Sequence, residues 1–113
     1  MKHSYVPKKG DVVWLELSPQ IGHEQSGRRP ALCISPIEYN EKIGLAIFCP
    51  ITSKRKGYPF EIKIPSKFPI SGAILADHLK NLDWKARKAE FIASLPPYLL
   101  KQVIDKLMIL LGK

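Results

Sequence analysis

Cysteine is scarce in this chain: Cys33 and Cys49 are its only two, with no Cys-x-x-Cys pair and no histidine cluster beside them. Neither a zinc site nor a disulfide framework is indicated. Both lie in apolar stretches, where a free thiol packs as a small hydrophobe. With no candidate base in a loop beside either, a cysteine hydrolase is excluded. Acidic residues are also few, 10 Asp and Glu against 18 Lys and Arg, for a net charge of +8. Such an excess favours a polyanionic partner, nucleic acid or an acidic protein segment, and charge alone does not choose between them. Long apolar runs are missing: the longest, around residues 107–111, is far short of the ~20 residues of a membrane-spanning helix. Met1-Lys2-His3 leads into no apolar signal region, so a soluble, cytoplasmic protein with no membrane partner is expected. Repeats and Gly/Ser linkers are absent as well, and residues 1–113 read as one domain.

What is present is the balance of a globular protein, 45% hydrophobic and 25% charged over 113 residues. In residues 11–17, Val13, Leu15 and Leu17 alternate with Val12, Trp14 and Glu16, the period of a strand. Residues 18–30, carrying Pro19, Gly22, Gly27 and Pro30, read as a long polar loop. Residues 31–35 and 45–50 suit buried strands, bounded by Pro36 and by a turn over 40–44. Residues 60–64 alternate as a strand with one solvated face, 72–76 form another candidate strand, and 89–93 a short further one. From Leu99 to Leu111 the apolar residues recur at three- and four-residue spacing, predicting an amphipathic helix. Pro96 and Pro97 fit its first turn, Ser94 is a nearby cap, and Gly112 marks its stop. The expected fold is α+β, mainly β: a small curved antiparallel sheet or SH3-like barrel covered by a C-terminal helix. The apolar stripe of that helix is wider than one sheet contact requires, which predicts that part of it faces another subunit.

Chemistry concentrates in Gly22-His23-Glu24-Gln25-Ser26-Gly27-Arg28-Arg29-Pro30. A general base (Glu24 or His23), a phosphate-binding guanidinium (Arg29 or Arg28) and glycines that let backbone approach a ligand share one stretch. Pro30 biases Arg29 toward extended backbone. Read alone, the same residues also fit a solvated polar loop. Lys54, Arg55 and Lys56 followed by Tyr58 fit an ordinary solvated loop, yet also combine charge for a nucleic-acid backbone with a ring for base stacking; Trp84 with Lys85 and Arg87 repeats that combination, although a tryptophan is more often mostly buried than stacked on a base.

Several ordered blocks together resemble the MazF/PemK (Kid, ChpB) toxins of bacterial toxin–antitoxin modules. They are Gly10-Asp11-Val12-Val13-Trp14, Gly22 through Pro30, Pro50-Ile51-Thr52-Ser53, Lys56-Gly57-Tyr58-Pro59-Phe60-Glu61, Leu75-Ala76-Asp77-His78 and Trp84-Lys85-Ala86-Arg87. Lys56 through Glu61 looks particularly like the MazF branch. The resemblance covers essentially the whole chain and implies a PemK-like fold working as a homodimer. It also implies a ribosome-independent endoribonuclease that cuts single-stranded RNA without a metal or other cofactor. The 2′-OH would attack its own phosphate, giving a 2′,3′-cyclic phosphate and a 5′-OH. A cognate MazE-like antitoxin with an acidic C-terminal segment would occupy the groove.

By the same resemblance Arg29 would stabilise the phosphate, Thr52 would hydrogen-bond one of its oxygens, and Glu24 would be the base. Kid-like members use a His, an Arg and an Asp; His23 and Asp77 match, while Leu75 stands where their Arg would be. The implied set is a hybrid of Glu24, Arg29 and Thr52 with His23 assisting. RNA contacts are expected from Gln25, Arg28, Lys54, Arg55, Lys56, Tyr58, Asp77, Trp84 and Arg87. The competing reading is a non-catalytic binding module on an SH3-like barrel that grips RNA or an acidic peptide. A mere binder needs cations but not Glu24, Arg29 and Thr52 together.

Overall fold

The computed structural model describes residues 5–17 and 27–113. Within them the order is β1 (Asp11–Leu17), β2 (Gly27–Cys33), α1 (Ile37–Ile43), β3 (Ala46–Thr52), β4 (Glu61–Lys63), β5 (Ala73–Leu75), β6 (Lys80–Leu82), β7 (Glu90–Ser94) and α2 (Pro97–Leu110). The strands form one antiparallel sheet along the path β4-β5-β3-β2-β1-β7, with β6 also paired to β3. The mainly β architecture with a C-terminal helix is the one expected.

Strand alternation divides the interior in two. On one face Val12, Leu32, Cys49, Ile51, Ile62 and Ile74 pack with Leu99, Val103 and Leu107, the buried stripe of α2. On the other Val13, Leu15, Ala31, Cys33 and Phe48 pack with Trp84. Both cysteines are free and buried, one on each face. Burial pushes the Cys49 thiol up to about 12 and raises that of Cys33, as the core assignment anticipated.

Three elements differ from the sequence reading. β2 begins at Gly27, so residues 27–30 are strand rather than loop, paired with β1 through Leu17↔Gly27, Glu16↔Arg28 and Leu15↔Arg29. The expected turn over 40–44 is instead the end of α1, entered after Pro36 and closed by Gly44 at φ 82°, whose N–H donates to the carbonyl of Asn40. That closure needs the left-handed conformation glycine adopts without strain. β6 went unrecognised because Lys80-Asn81-Leu82 has no alternation to read; it exists by pairing Phe48↔Lys80, Ile47↔Asn81 and Ala46↔Leu82. In α2, Pro96 is the N-cap and Pro97 the first helical residue, while Ser94 belongs to β7 and makes no cap.

The β2–β3 ladder runs Cys33↔Phe48, Leu32↔Cys49, Ala31↔Pro50 and then stops. The next residue of β2 is Pro30, which has no N–H to give. Beyond it the strands continue without pairing to each other, β2 held by β1 and β3 by β5. This break positions the site.

Candidate active site

A groove of about 970 Å³ opens where the ladder ends. Arg29, Pro30 and Ala31 line one side, Pro50, Ile51 and Thr52 the other, and Leu15 and Phe48 belong to its apolar lining. Continuing the β2–β3 register past Ala31↔Pro50 puts Arg29 opposite Thr52, and the Leu15↔Arg29 pairing puts Arg29 on the Leu15 face. An arginine and a threonine thus line the same groove from either side of a gap between strands. The Thr52 Oγ1 accepts the N–H of Lys54 at 3.1 Å, which turns the chain out of β3 and leaves the hydroxyl proton to donate. Among the described residues the lining includes Arg28, Arg29, Lys54 and Lys80 and no carboxylate.

Thr52 is held from behind by Gly72, at φ +122°. A Cβ there would sit 2.2 Å from the Thr52 carbonyl oxygen and 3.0 Å from its carbon. Backbone cannot yield as a side-chain tip would, so Gly72→Ala must push β5 off β3 at the Thr52↔Ala73 pair. We expect it to cost about 3 kcal/mol of stability and to lower activity beyond what unfolding explains, read by urea denaturation beside turnover at a fully folded temperature. Wild-type stability in this variant would contradict the role given to Gly72.

Arg28 also borders the groove, but its guanidinium is committed to the β7 edge. Its Nη2 donates to the carbonyl of Lys88 at 3.0 Å and to Glu90 at 3.1 Å, an ion pair tying β2 to the β7 edge. Arg55, Lys56, Tyr58 and Asp77 stand outside the groove lining and organise the segment after β3. The Glu61 carboxylate accepts the N–H groups of Lys56 and Gly57, both at 2.8 Å, and lies 3.6 Å from the Arg55 Nε. The Lys56 N–H is the largest influence holding the Glu61 carboxyl below its ordinary range. A lowered folded value means the carboxylate stabilises the segment above the unfolded pKa and the contribution fades as pH falls through the folded one. The Lys56 and Gly57 amide NMR shifts should therefore titrate with a midpoint below the ordinary ~4.3 of glutamate. A midpoint at or above that value would refute this role for Glu61.

Tyr58 donates its hydroxyl to Asp77 at 2.6 Å, which pushes the phenol up to about 12, and the His78 Nε2 lies 3.8 Å from the same carboxylate. Trp84 is corrected from a stacking platform to a core residue. It is 7% exposed, packs with Val13, Leu15 and Phe48, and donates Nε1–H to the Asn40 carbonyl at 3.0 Å. Arg87 lies along β1, its Nη1 3.4 Å from the Glu16 carbonyl and its own carbonyl accepting the Glu16 N–H. His23, Glu24 and Gln25 lie outside the described residues; their segment departs and returns at the cross-strand partners Leu17 and Gly27, at the Arg29 end of β2. Lys80 was missed, because only its register opposite Phe48 brings it to this face.

The chain matches the model of the PemK-like, MazF-like toxins of type II toxin–antitoxin systems over residues 8–111. It is 38% identical over 112 residues to the endoribonuclease toxin MazF of Escherichia coli K12, covering 99% of this chain and 100% of that protein. Endoribonuclease EndoA of Bacillus subtilis is 32% identical over 95% of this chain and 96% of its own length. Among solved structures, MazF in a MazE-MazF crystal from Deinococcus radiodurans superposes with a TM-score of 0.91 at 52% identity, over 96% of this chain and 98% of that one. The fold and groove define a small β toxin domain. The chain belongs to the PemK/MazF family of type II toxins.

Proposed function

We propose that this protein is the toxin of a type II toxin–antitoxin module and cleaves single-stranded mRNA in the cytoplasm, independently of metal and ribosome. The observation carrying the reading is the placement of Arg29 and Thr52 on either side of the β2–β3 gap, in a groove whose described lining includes Arg29, Lys54 and Lys80. Cleavage proceeds by attack of the 2′-OH on the adjacent phosphorus with formation of a 2′,3′-cyclic phosphate, while the P–O5′ bond breaks and the 5′ oxygen leaves as 5′-OH, its proton delivered with the aid of Arg29. Glu24 takes the 2′-OH proton with His23 assisting, and Arg29 delivers a bidentate fork to the phosphate oxygens as charge develops. Thr52 donates its remaining hydroxyl proton to a non-bridging oxygen. Gln25, Arg28, Lys54, Arg55, Lys56, Tyr58, Asp77 and Arg87 supply contacts to the flanking strand, and the backbone-bound Glu61 keeps their loop in shape.

An antitoxin with an acidic C-terminal segment competes for the same cations; an antitoxin partner as such is supported by the MazE-MazF crystal of the Deinococcus relative. Homodimerisation is supported by α2 and its end, where Met108, Ile109, Leu110 and Leu111 are exposed although apolar. A monomeric mass in dilute solution would contradict it. Incubation of purified protein with single-stranded RNA in EDTA should give sequence-dependent cuts ending in cyclic phosphate. Binding without cuts, or cleavage abolished by EDTA, would support the non-catalytic module or a metal-dependent enzyme instead.

A further inference from the structure

We infer that Lys80 forms a second phosphate site in the groove, taking a backbone phosphate of the bound RNA further along the strand than the one cleaved; this rests on the function proposed above. Lys80 lies on β6 opposite Phe48, so its side chain shares the β3 face that carries Phe48, Pro50 and Thr52. Thr52 and Phe48 are four residues apart on β3, about 13 Å at the rise of a strand, so Lys80 and the Arg29–Thr52 pair stand at opposite ends of the groove. That is the spacing of the backbone positions, and we assign the two to different phosphates of an extended strand. Between them the lining is apolar, with Ala31, Pro50 and Phe48, a surface for bases rather than for charge.

The charge on Lys80 is uncommitted. Arg28, Arg55, Lys88 and Lys101 each lie within 4.0 Å of a carboxylate, whereas Lys80 has no ion pair or side-chain hydrogen bond among the described residues. Its position is nevertheless fixed. Leu82 packs against the Phe48 core, and on the other face of β6 the Asn81 Nδ2 donates to the Tyr39 hydroxyl at 3.0 Å. A lysine with no acid partner among the described residues, on an anchored strand and in a groove whose described lining carries no carboxylate, is a point-charge phosphate receptor.

The test uses Lys80→Ala and Lys80→Arg with a nested series of oligoribonucleotides extended by single steps on either side of the cleaved bond. On long substrates K80A should raise KM roughly tenfold while kcat falls less than twofold, and K80R should restore KM. The salt slope of log(kcat/KM) should drop by about 0.7, the share of one single-strand phosphate contact. The K80A penalty should shrink as the substrate is shortened from the side that reaches Lys80. A penalty equal at all lengths, or an unchanged salt slope, overturns the assignment. If the wild-type protein cuts none of the series, the proposed function fails, and the binding affinities of the same oligonucleotides for wild type and K80A then decide Lys80 on the same length criterion.

Discussion

Arg29→Ala is expected to lower kcat for RNA cleavage by roughly 10³-fold, about 4 kcal/mol of transition-state stabilisation, while changing folding stability by less than ~0.5 kcal/mol. The two effects separate because Arg29 is exposed, on a strand whose backbone pairing to β1 does not depend on its side chain. Charge accumulates on the phosphate oxygens only as the 2′ oxygen bonds to phosphorus, so a donor fixed opposite Thr52 acts mostly on the transition state. Arg29→Lys keeps the charge and loses the second parallel hydrogen bond, and should recover only part of the rate. Comparable losses in KM with kcat intact would make Arg29 a binding residue and return the catalytic role to the segment that includes His23 and Glu24. Single-turnover rates at saturating protein give the distinction directly.

Asn40→Leu should cost about 3–5 kcal/mol and lower Tm by roughly 10–20 °C, the largest stability effect we expect from a polar residue in this chain. Asn40 is fully buried at the centre of a satisfied network. Its Nδ2 donates to the carbonyls of Pro7 at 2.7 Å and Ser35 at 3.0 Å, and its Oδ1 accepts the Ser35 hydroxyl. The Ser35 oxygen in turn accepts the N–H of Ile47 at 2.9 Å. Leucine fills a similar volume but strands those carbonyls and the hydroxyl without water. Ser35→Ala, which removes one partner and keeps the amide, should cost less, about 1–2 kcal/mol. Urea unfolding measures both, and equal stabilities of Asn40→Leu and wild type would remove the network from the account of the fold.

The contrast between Asn40 and Leu99 explains which parts of the fold were legible in the sequence. Leu99, Val103 and Leu107 repeat at helical spacing and bury that stripe, so α2 could be read from periodicity alone. α1 buries an asparagine instead, and only seven residues carry it, so no apolar rhythm announces it. β1 and β4 alternate against an interior and were found; β6 is three residues held by register with β3, a non-local fact that local pattern cannot hold. The start of β2 was hidden by its own chemistry, because Gly27, Arg28, Arg29 and Pro30 are loop-like in composition and become strand by pairing with β1.

The site divides along the same line. Arg29 and Thr52 were named from blocks of residues, yet their placement on either side of the groove depends on where Pro30 stops a ladder. Trp84 is followed by Lys85 and Arg87, a pattern that also fits a stacking platform, but burial and its bond to Asn40 put the ring inside. Lys80 carried no signal beyond its charge. Among the described cations, Arg28, Arg55, Lys88 and Lys101 pair with Glu90, Glu61, Glu16 and Asp105, while Arg29, Lys54 and Lys80 line the groove.

The central claim is that the Arg29–Thr52 groove cleaves RNA by using the substrate's own 2′-OH. An oligoribonucleotide carrying a single 2′-deoxy sugar at the cleaved step, incubated with wild-type protein in EDTA beside its all-ribose counterpart, tests this most directly. The account predicts that the all-ribose strand is cut to a cyclic phosphate and that the substituted strand, bound with similar affinity, is not cut at that step; equal cleavage of both would mean that water or another nucleophile attacks the phosphorus and would contradict the mechanism.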